Sequence, residues 1–116
     1  MTINVPYKDP NNVEPYFFVW CSEDGTNDGS TSDTGELQSA TIASYTVTVP
    51  SGITKDSDNK SAVTIAGISY SASTVVTVWL SGGTAGTSYD ILCRIVTNET
   101  PARTLDQTMR VLCLEN

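Results

Sequence analysis

The chain has 116 residues, a net charge of −7 and no histidine. One domain is expected at this length, and 13 acidic against six basic residues argue against nucleic acid and anionic membranes as partners. Without histidine, Ser-His-Asp and Cys-His catalytic arrangements are excluded within this chain, and the commonest metal ligand is missing.

An N-terminal arm, residues 1–12, precedes the first predicted strand. In this arm Ile3, Val5 and Tyr7 occupy alternate positions, a spacing that would let them add to the sheet edge of a neighbouring molecule. Residues 15–21 are apolar on both faces, which favours a central strand, or a strand covered by a partner on its second face. Residues 22–35 contain no hydrophobic residue and predict a long exposed loop.

Alternating apolar residues continue along the rest of the chain. Residues 41–49 predict a strand with a bulge near Ser44. Without the bulge, the apolar side chains of this segment could not all lie on the same face of the strand. After a turn at residues 50–52, a short edge strand follows. Further strands are predicted at residues 62–70, 74–81, 89–97 and 104–114, the last two as an antiparallel hairpin.

This series of short strands predicts an all-β protein. β-Branched residues dominate the apolar set, and no segment of helical length has a period of 3.6 residues. The near-regular strand spacing indicates an immunoglobulin-like Greek-key β-sandwich of about seven strands, formed by residues 13–116 as a single domain. No run approaches the about 18 apolar residues of a membrane span, and the first residues lack the layout of a signal peptide.

The three cysteines, Cys21, Cys93 and Cys113, all lie in apolar runs. Three cysteines do not make the disulfide framework of a small secreted domain. We expect free, buried thiols that pack as small hydrophobic side chains; one disulfide with one free thiol is the alternative. No CxxC pair is present, so a zinc site is not expected.

The acidic loop offers one metal candidate. Asp24 and Asp28 are spaced like the first ligands of a calcium loop, but the position of the bidentate glutamate falls on Gly35, and Glu36 comes one residue later. A solvated loop, ordered against a neighbour, is the favoured interpretation, with calcium a minor alternative. We predict no catalytic residue and no cofactor.

Aromatic and basic side chains give candidates for partner contacts. Trp79 lies in the strongest strand, where its apolar neighbours favour core packing and an interface role is the alternative; exposed aromatics could also stack on sugar rings. All three arginines fall on the last hairpin, where they either pair with the domain's own acids or contact an acidic partner. The partner-binding candidates are Ile3, Val5, Tyr7, Trp79, Arg103 and Arg110.

The segment Gly86-Thr87-Ser88-Tyr89, followed by an alternating strand, is similar to the tyrosine corner of fibronectin-type and other immunoglobulin-like sandwiches. The match falls on Tyr89. The resemblance implies that the Tyr89 hydroxyl folds back onto the chain.

A second resemblance covers most of the chain. A Lys-Asp-Pro element at residues 8–10, an aromatic strand at residues 16–20, and the segments 41–54 and 76–97 look like small virion proteins of tailed bacteriophages. Such proteins are fibre–tail adaptors or other accessory virion proteins, including capsid cement. The chain departs from their pattern in a longer, more acidic loop and in extra apolar residues at its end.

The resemblance implies a structural, non-enzymatic role in a virion assembled in the host cytoplasm. The implied partners are other virion proteins (tail, neck, fibre or major capsid protein), with copies of the chain arranged as a symmetric homo-oligomer. An adaptor between tail and fibre is the leading hypothesis. A capsid cement protein and a carbohydrate-binding module are the alternatives.

Overall fold

The computed structural model describes residues 2–114, with side chains described from Lys8 onwards. Within these residues the protein is all-β, as predicted, and contains no helix. Residues 2–114 therefore contain no helix that is long and apolar enough to cross a membrane. The strands are β1 (Thr2–Lys8), β2 (Glu14–Val19), β3 (Ile42–Thr48), β4 (Ile53–Asn59), β5 (Val63–Ile65), β6 (Ile68–Tyr70), β7 (Val75–Gly82), β8 (Ser88–Thr97) and β9 (Thr104–Cys113).

The strands form two main sheets and one small hairpin. The four-stranded sheet has the order β1-β9-β8-β3, the three-stranded sheet has the order β2-β7-β4, and β5 pairs with β6. β8 and β9 pair in antiparallel register from Ser88–Leu112 to Val96–Thr104, which confirms the predicted hairpin. β7, predicted as the strongest strand, is the central strand of its sheet.

The two main sheets share one hydrophobic core. Because side chains alternate across a strand, Val76, Val78 and Leu80 of β7 point to the same face, and all three are fully buried. Alternate residues of β8 and β9 meet them from the other sheet, with Phe18 and Trp20 at the side. Burial of each large apolar side chain contributes about 1.5–3 kcal/mol, so this core is the main source of stability.

A smaller cluster covers the outer face of β2. Phe17 and Val19 pack there with Cys21, Tyr70 and Val75, beneath the β5–β6 hairpin. β2 is thus an edge strand and not a central one. Its second apolar face is covered by the chain's own hairpin, which explains why its sequence resembles that of a central strand.

Two of the three register shifts among the described strands lie in the edge strands β3 and β4, and the third lies between Val5 and Lys8 of β1. One lies between Ile42 and Ser44 in β3, where the sequence predicted a bulge. The other lies between Lys55 and Ser57 in β4, the edge strand opposite β2. A bulge and charged side chains on an edge strand hinder its pairing with another chain.

Asp58 of β4 ties this edge to the other sheet. Its carboxylate accepts a 2.6 Å hydrogen bond from the Tyr45 hydroxyl and pairs at 2.6 Å with Lys55. Burial raises the pKa of Asp58, but the hydrogen bonds from Lys55 and Tyr45 outweigh it and hold the pKa below its usual value. Burial and the Asp58 carboxylate together raise the pKa of Tyr45 to about 12.

These contacts predict a pH dependence of stability. Because the pKa of Asp58 is lower in the folded state, its contribution is complete above the unfolded value of about 3.9 and is lost as pH falls through the folded value. Replacing Asp58 by asparagine should lower the free energy of unfolding at neutral pH and flatten its decline in acid. Urea titrations at several pH values between neutral and acid measure the free energy of unfolding and its decrease with pH. If this free energy falls as steeply in Asp58→Asn as in the parent, the contribution assigned to Asp58 is wrong.

All three cysteines are free and buried, as expected. Cys93 lies in the centre of the core, and burial raises the pKa of its thiol to about 12. A thiol is reactive as the thiolate, so Cys93 is inert at neutral pH.

The N-terminal strand is joined to the body of the protein. β1 pairs in parallel with β9 of the same chain. The side chains of Ile3, Val5 and Tyr7 lie outside the described residues. At the end of β1, Lys8 is 1% exposed, and its ammonium group donates to the carbonyl oxygens of Asp9 at 2.9 Å, Asn12 at 2.7 Å and Gly82 at 2.8 Å.

Candidate adaptor surfaces

The acidic loop between β2 and β3 is folded onto itself. Asp33 is buried, and its carboxylate accepts hydrogen bonds from the amides of Gly29 and Gly35, both at 2.9 Å. Gln38 donates to the Asp33 carbonyl oxygen at 2.8 Å. Most of the loop is exposed, as its composition predicted, but Asp33 fixes its shape.

Two side chains of the β8–β9 hairpin region hold the end of this loop. Gln107, fully buried, donates through Nε2 to the Val19 carbonyl oxygen and to the Glu36 carboxylate, both at 2.9 Å. Arg103 donates to the carbonyl oxygens of Glu36 at 2.9 Å and Leu37 at 2.7 Å. Its Nε also pairs with Glu99 at 2.6 Å. The structure therefore places the predicted partner contact Arg103 against acceptors of its own chain.

Replacing Arg103 by glutamine should loosen the loop. Loss of two hydrogen bonds from a charged donor should cost about 1–2 kcal/mol of unfolding free energy. It should also speed hydrogen exchange at the amides of residues 29–37. Arg94→Gln is the matched control, since Arg94 makes only an exposed pair with Asp106, which is worth about 0–1 kcal/mol. Equal exchange in both variants would contradict the role of Arg103.

The calcium candidates serve the loop's own turns. Asp24 Oδ1 accepts from the Thr26 amide at 2.9 Å, and Asp28 Oδ1 accepts from the Ser30 amide at 3.0 Å. These backbone hydrogen bonds lower the pKa of both carboxyl groups. Glu36 instead receives Gln107. Between residues 2 and 114 no group of three or more His, Cys, Asp or Glu side chains could hold a metal ion.

Tyr89 lies at the start of β8, where the sequence placed a strand corner. Its side chain is buried, and its hydroxyl accepts a 2.9 Å hydrogen bond from the Thr84 amide, five residues earlier. The ring also lies over Gly52, where an added Cβ would come within 3.1 Å of it. Tyr89 therefore fixes the turn between β7 and β8.

The outer face of the four-stranded sheet carries cross-strand ion pairs. Arg110 on β9 pairs with Asp90 on β8 at 2.9 Å, and Arg94 pairs with Asp106 at 2.8 Å. These pairs neutralise the charges of this face. Arg110, predicted as a partner contact, stays exposed there.

An apolar surface runs along the outer face of the three-stranded sheet, from an exposed end at Val13 and Trp79 to Phe17, which packs against the cluster beneath the β5–β6 hairpin. Tyr16 and Phe18 of β2 and Val78 and Leu80 of β7 point into the core, so their neighbours in sequence point outward. Pro15 lies directly opposite Trp79 in the register of the two strands. Trp79 is 37% exposed, and Val13, just before β2, is 56% exposed. We call Val13, Pro15, Phe17 and Trp79 the apolar strip.

One end of the apolar strip opens into a cleft. Phe17 also lines this cleft of about 500 Å³, together with Val19, Glu23, Glu36 and Tyr70. Tyr70 donates to the Glu23 carbonyl oxygen at 2.5 Å, and burial raises the pKa of its hydroxyl. The cleft lining therefore combines apolar and aromatic side chains with the acidic residues Glu23 and Glu36.

The charges of the chain are divided between two regions. Residues 82–114 hold three carboxylates and three arginines, and each arginine pairs with one carboxylate. Residues 13–81 hold eight carboxylates and two lysines. This segment contains β2 to β6, nearly all of β7 and the acidic loop, so the excess negative charge is carried by this part of the chain.

Comparison with protein families connects these surfaces to a class of virion protein. The family model described as podophage GP4 fiber-tail adaptor protein gp77 matches residues 8–112. The chain belongs to this family. The match begins at Lys8 and extends over β2 to β8 and nearly all of β9. Membership of the fibre-tail adaptor family confirms the resemblance to tailed-phage virion proteins that the sequence motifs indicated.

Searches of the curated proteins and of the solved structures gave no significant match. Of the apolar strip, sequence analysis found only Trp79. Val13, Pro15 and Phe17 were missed because their alternation is the same for a core face and an exposed face. The sequence signal that could have found them is Pro15, since proline within a strand favours an edge.

Proposed function

We propose that this chain is a non-enzymatic virion protein that connects tail and fibre components of a bacteriophage by protein–protein contacts. The observation that carries the proposal is the match of residues 8–112 to the fibre-tail adaptor family. The molecule's surfaces support it, because the exposed apolar strip and the ion-paired face of the other sheet lie on opposite sides of one core and could contact two different components.

We further propose that the fold is an immunoglobulin-like Greek-key sandwich. Two features support this assignment: a core shared by a four-stranded and a three-stranded sheet, and the hydrogen bond from the Thr84 amide to the Tyr89 hydroxyl, as in a tyrosine corner. In this proposal residues 13–116 form the domain. Residues 1–12 form the arm of this proposal, in which β1 pairs with β9 and presents its outer edge to a neighbour.

In the virion, we propose that copies of the chain form a symmetric homo-oligomer attached to tail, neck or fibre proteins. A ring of such copies would follow the symmetry of the tail to which it binds. Arg110 on the four-stranded sheet and Ile3, Val5 and Tyr7 of the arm are the remaining candidates for these contacts.

Quantitative mass spectrometry of purified virions, scaled to the major capsid protein, tests the proposed function. A ring adaptor should be present in about 6–12 copies per particle. A ratio near one copy for every one or few capsid subunits would instead identify capsid cement. Absence from the particle would contradict a virion role, and binding of the isolated protein to glycans would then support a carbohydrate-binding module.

A further inference from the structure

We propose that the apolar strip is the docking site for a segment of a different virion protein that presents an apolar side chain flanked by lysine or arginine. The inference rests on the proposed function and names the surface and the chemistry of the partner. It starts from the exposure of Trp79, because a large aromatic side chain on the central strand of a sheet is ordinarily buried.

The strip provides the apolar part of this site. Trp79 stands between Pro15 on β2 and Ser57 on β4 in the strand register. Beyond Pro15 the surface continues along Phe17 into the cleft. Tryptophan is among the residues most enriched at the centres of protein interfaces, where apolar anchors of the partner fill neighbouring pockets. The cleft gives such an anchor a pocket farther along β2, beginning at Phe17.

Carboxylates stand at both ends of the strip. At one end, Ser81, two residues after Trp79 on the same face, donates to the exposed carboxylate of Asp56 at 3.0 Å. At the other end, Glu23 lines the cleft. The two lysines of this half of the molecule are engaged elsewhere: Lys55 pairs with Asp58, and Lys60 donates to Ser73. A partner that carries cations beside its apolar anchor therefore complements the site.

The same charges argue against a second copy of this chain as the occupant. A two-fold dimer through the strip would bring the acidic residues at its two ends, Asp56 and Glu23, close to the same residues of the other copy. Among the side chains described from Lys8 onwards, the arginines of the other sheet offer no free cation in exchange, since Arg94, Arg103 and Arg110 are each paired with a carboxylate of their own chain.

The test compares phage carrying Trp79→Ser with phage carrying Leu114→Ser. Leu114 is 36% exposed, close to the 37% of Trp79, but it follows β9 of the other sheet. Mass spectrometry of purified particles counts the copies of each variant. We expect Trp79→Ser to weaken incorporation at least about tenfold, as loss of a central aromatic anchor does, and Leu114→Ser to be incorporated like the parent. Full incorporation of Trp79→Ser would overturn the inference.

A second measurement identifies the molecule bound at the apolar strip and does not depend on whether Trp79→Ser folds. A photoreactive benzoylphenylalanine in place of Trp79 keeps an aromatic ring at the site and is irradiated in intact virions. The expected cross-link joins it to a different virion protein, at a peptide with lysine or arginine beside an apolar residue. Cross-links to another copy of this chain, to a peptide without a cation, or to no protein at all would overturn the inference.

The cross-linked partner, once purified, allows the charge argument to be tested directly. Asp56→Asn combined with Glu23→Gln should slow its association at low salt, whereas Asp90→Asn combined with Asp106→Asn removes the same charge from the other sheet and should not. Equal rates would refute the role of the carboxylates. The two proposals fail on different outcomes. If the parent protein is absent from virions, the proposed function is wrong. If the parent protein is present and the variants of the apolar strip are incorporated as well as the parent, the docking site alone is wrong.

Discussion

Replacement of Lys8 by methionine is expected to lower the free energy of unfolding by about 3 kcal/mol. The Lys8 ammonium is buried and donates to three carbonyl oxygens, of Asp9, Asn12 and Gly82. Methionine has nearly the same length and fills the space, but it donates nothing. The substitution therefore removes three charge-assisted hydrogen bonds while keeping the apolar packing, and urea unfolding measures the loss.

The control for Lys8 is Lys55→Met. Lys55 makes a surface pair with Asp58, and its side chain is 34% exposed, so its loss should cost at most about 1 kcal/mol. The hydrogen bond from Lys8 to the Gly82 carbonyl oxygen allows a second measurement. Because it joins the segment after β1 to the end of β7, Lys8→Met should also increase hydrogen exchange at residues 9–12. If the two variants lose equal stability, the buried ammonium is not a structural tie.

Lys8 also shows where sequence analysis reaches its limit. A lysine near the N-terminus is ordinarily solvated, since lysine is seldom fully buried unless its charge is satisfied. The three carbonyl oxygens that satisfy it lie one, four and 74 residues away along the chain. No pattern in the local sequence indicates that they meet at one point, so the contact emerges only with the tertiary structure.

The elements that could be predicted are those fixed by local alternation. The β8–β9 hairpin, the strength of β7 and the bulge near Ser44 all follow from the spacing of apolar residues, and the structure has each of them. The position of β2 could not be predicted in the same way. A strand covered by a hairpin and a central strand both need two apolar faces, so the alternation of β2 does not distinguish them; Pro15 favours an edge, and the pairing of β2 with β7 alone shows it.

The candidate site depends on the same distinction. Sequence alone left Trp79 between a core and an interface role, because β7 is apolar on both faces. In the structure, Val78 and Leu80 fill the core, and the β5–β6 hairpin covers the outer face only at the Val75 end of the strand. Trp79 is exposed because this hairpin is short, with three residues in each strand.

A substitution at Gly35 is expected to have an effect as large as that at Lys8. Gly35 lies against the backbone of Cys21 and Ser22: a Cβ added to it would lie 2.5 Å from the Ser22 amide nitrogen and 2.6 Å from the Cys21 Cα. Both are main-chain atoms of the segment that follows β2, so they cannot move aside as a flexible side chain could. We expect Gly35→Ala to cost about 3 kcal/mol of unfolding free energy.

The control for Gly35 separates close packing from backbone strain. Gly67 has a φ of +82°, but a Cβ added there would meet nothing within 4 Å. Gly67→Ala should therefore lower the free energy of unfolding by only about 1–2 kcal/mol, the cost of placing an alanine in the left-handed conformation. Gly35 also lines the cleft beside the apolar strip. Its substitution should therefore displace the acidic loop and weaken docking at the strip, whereas Gly67→Ala should leave docking intact. Equal losses of stability in the two variants would show that the loop does not need to lie this close to Cys21.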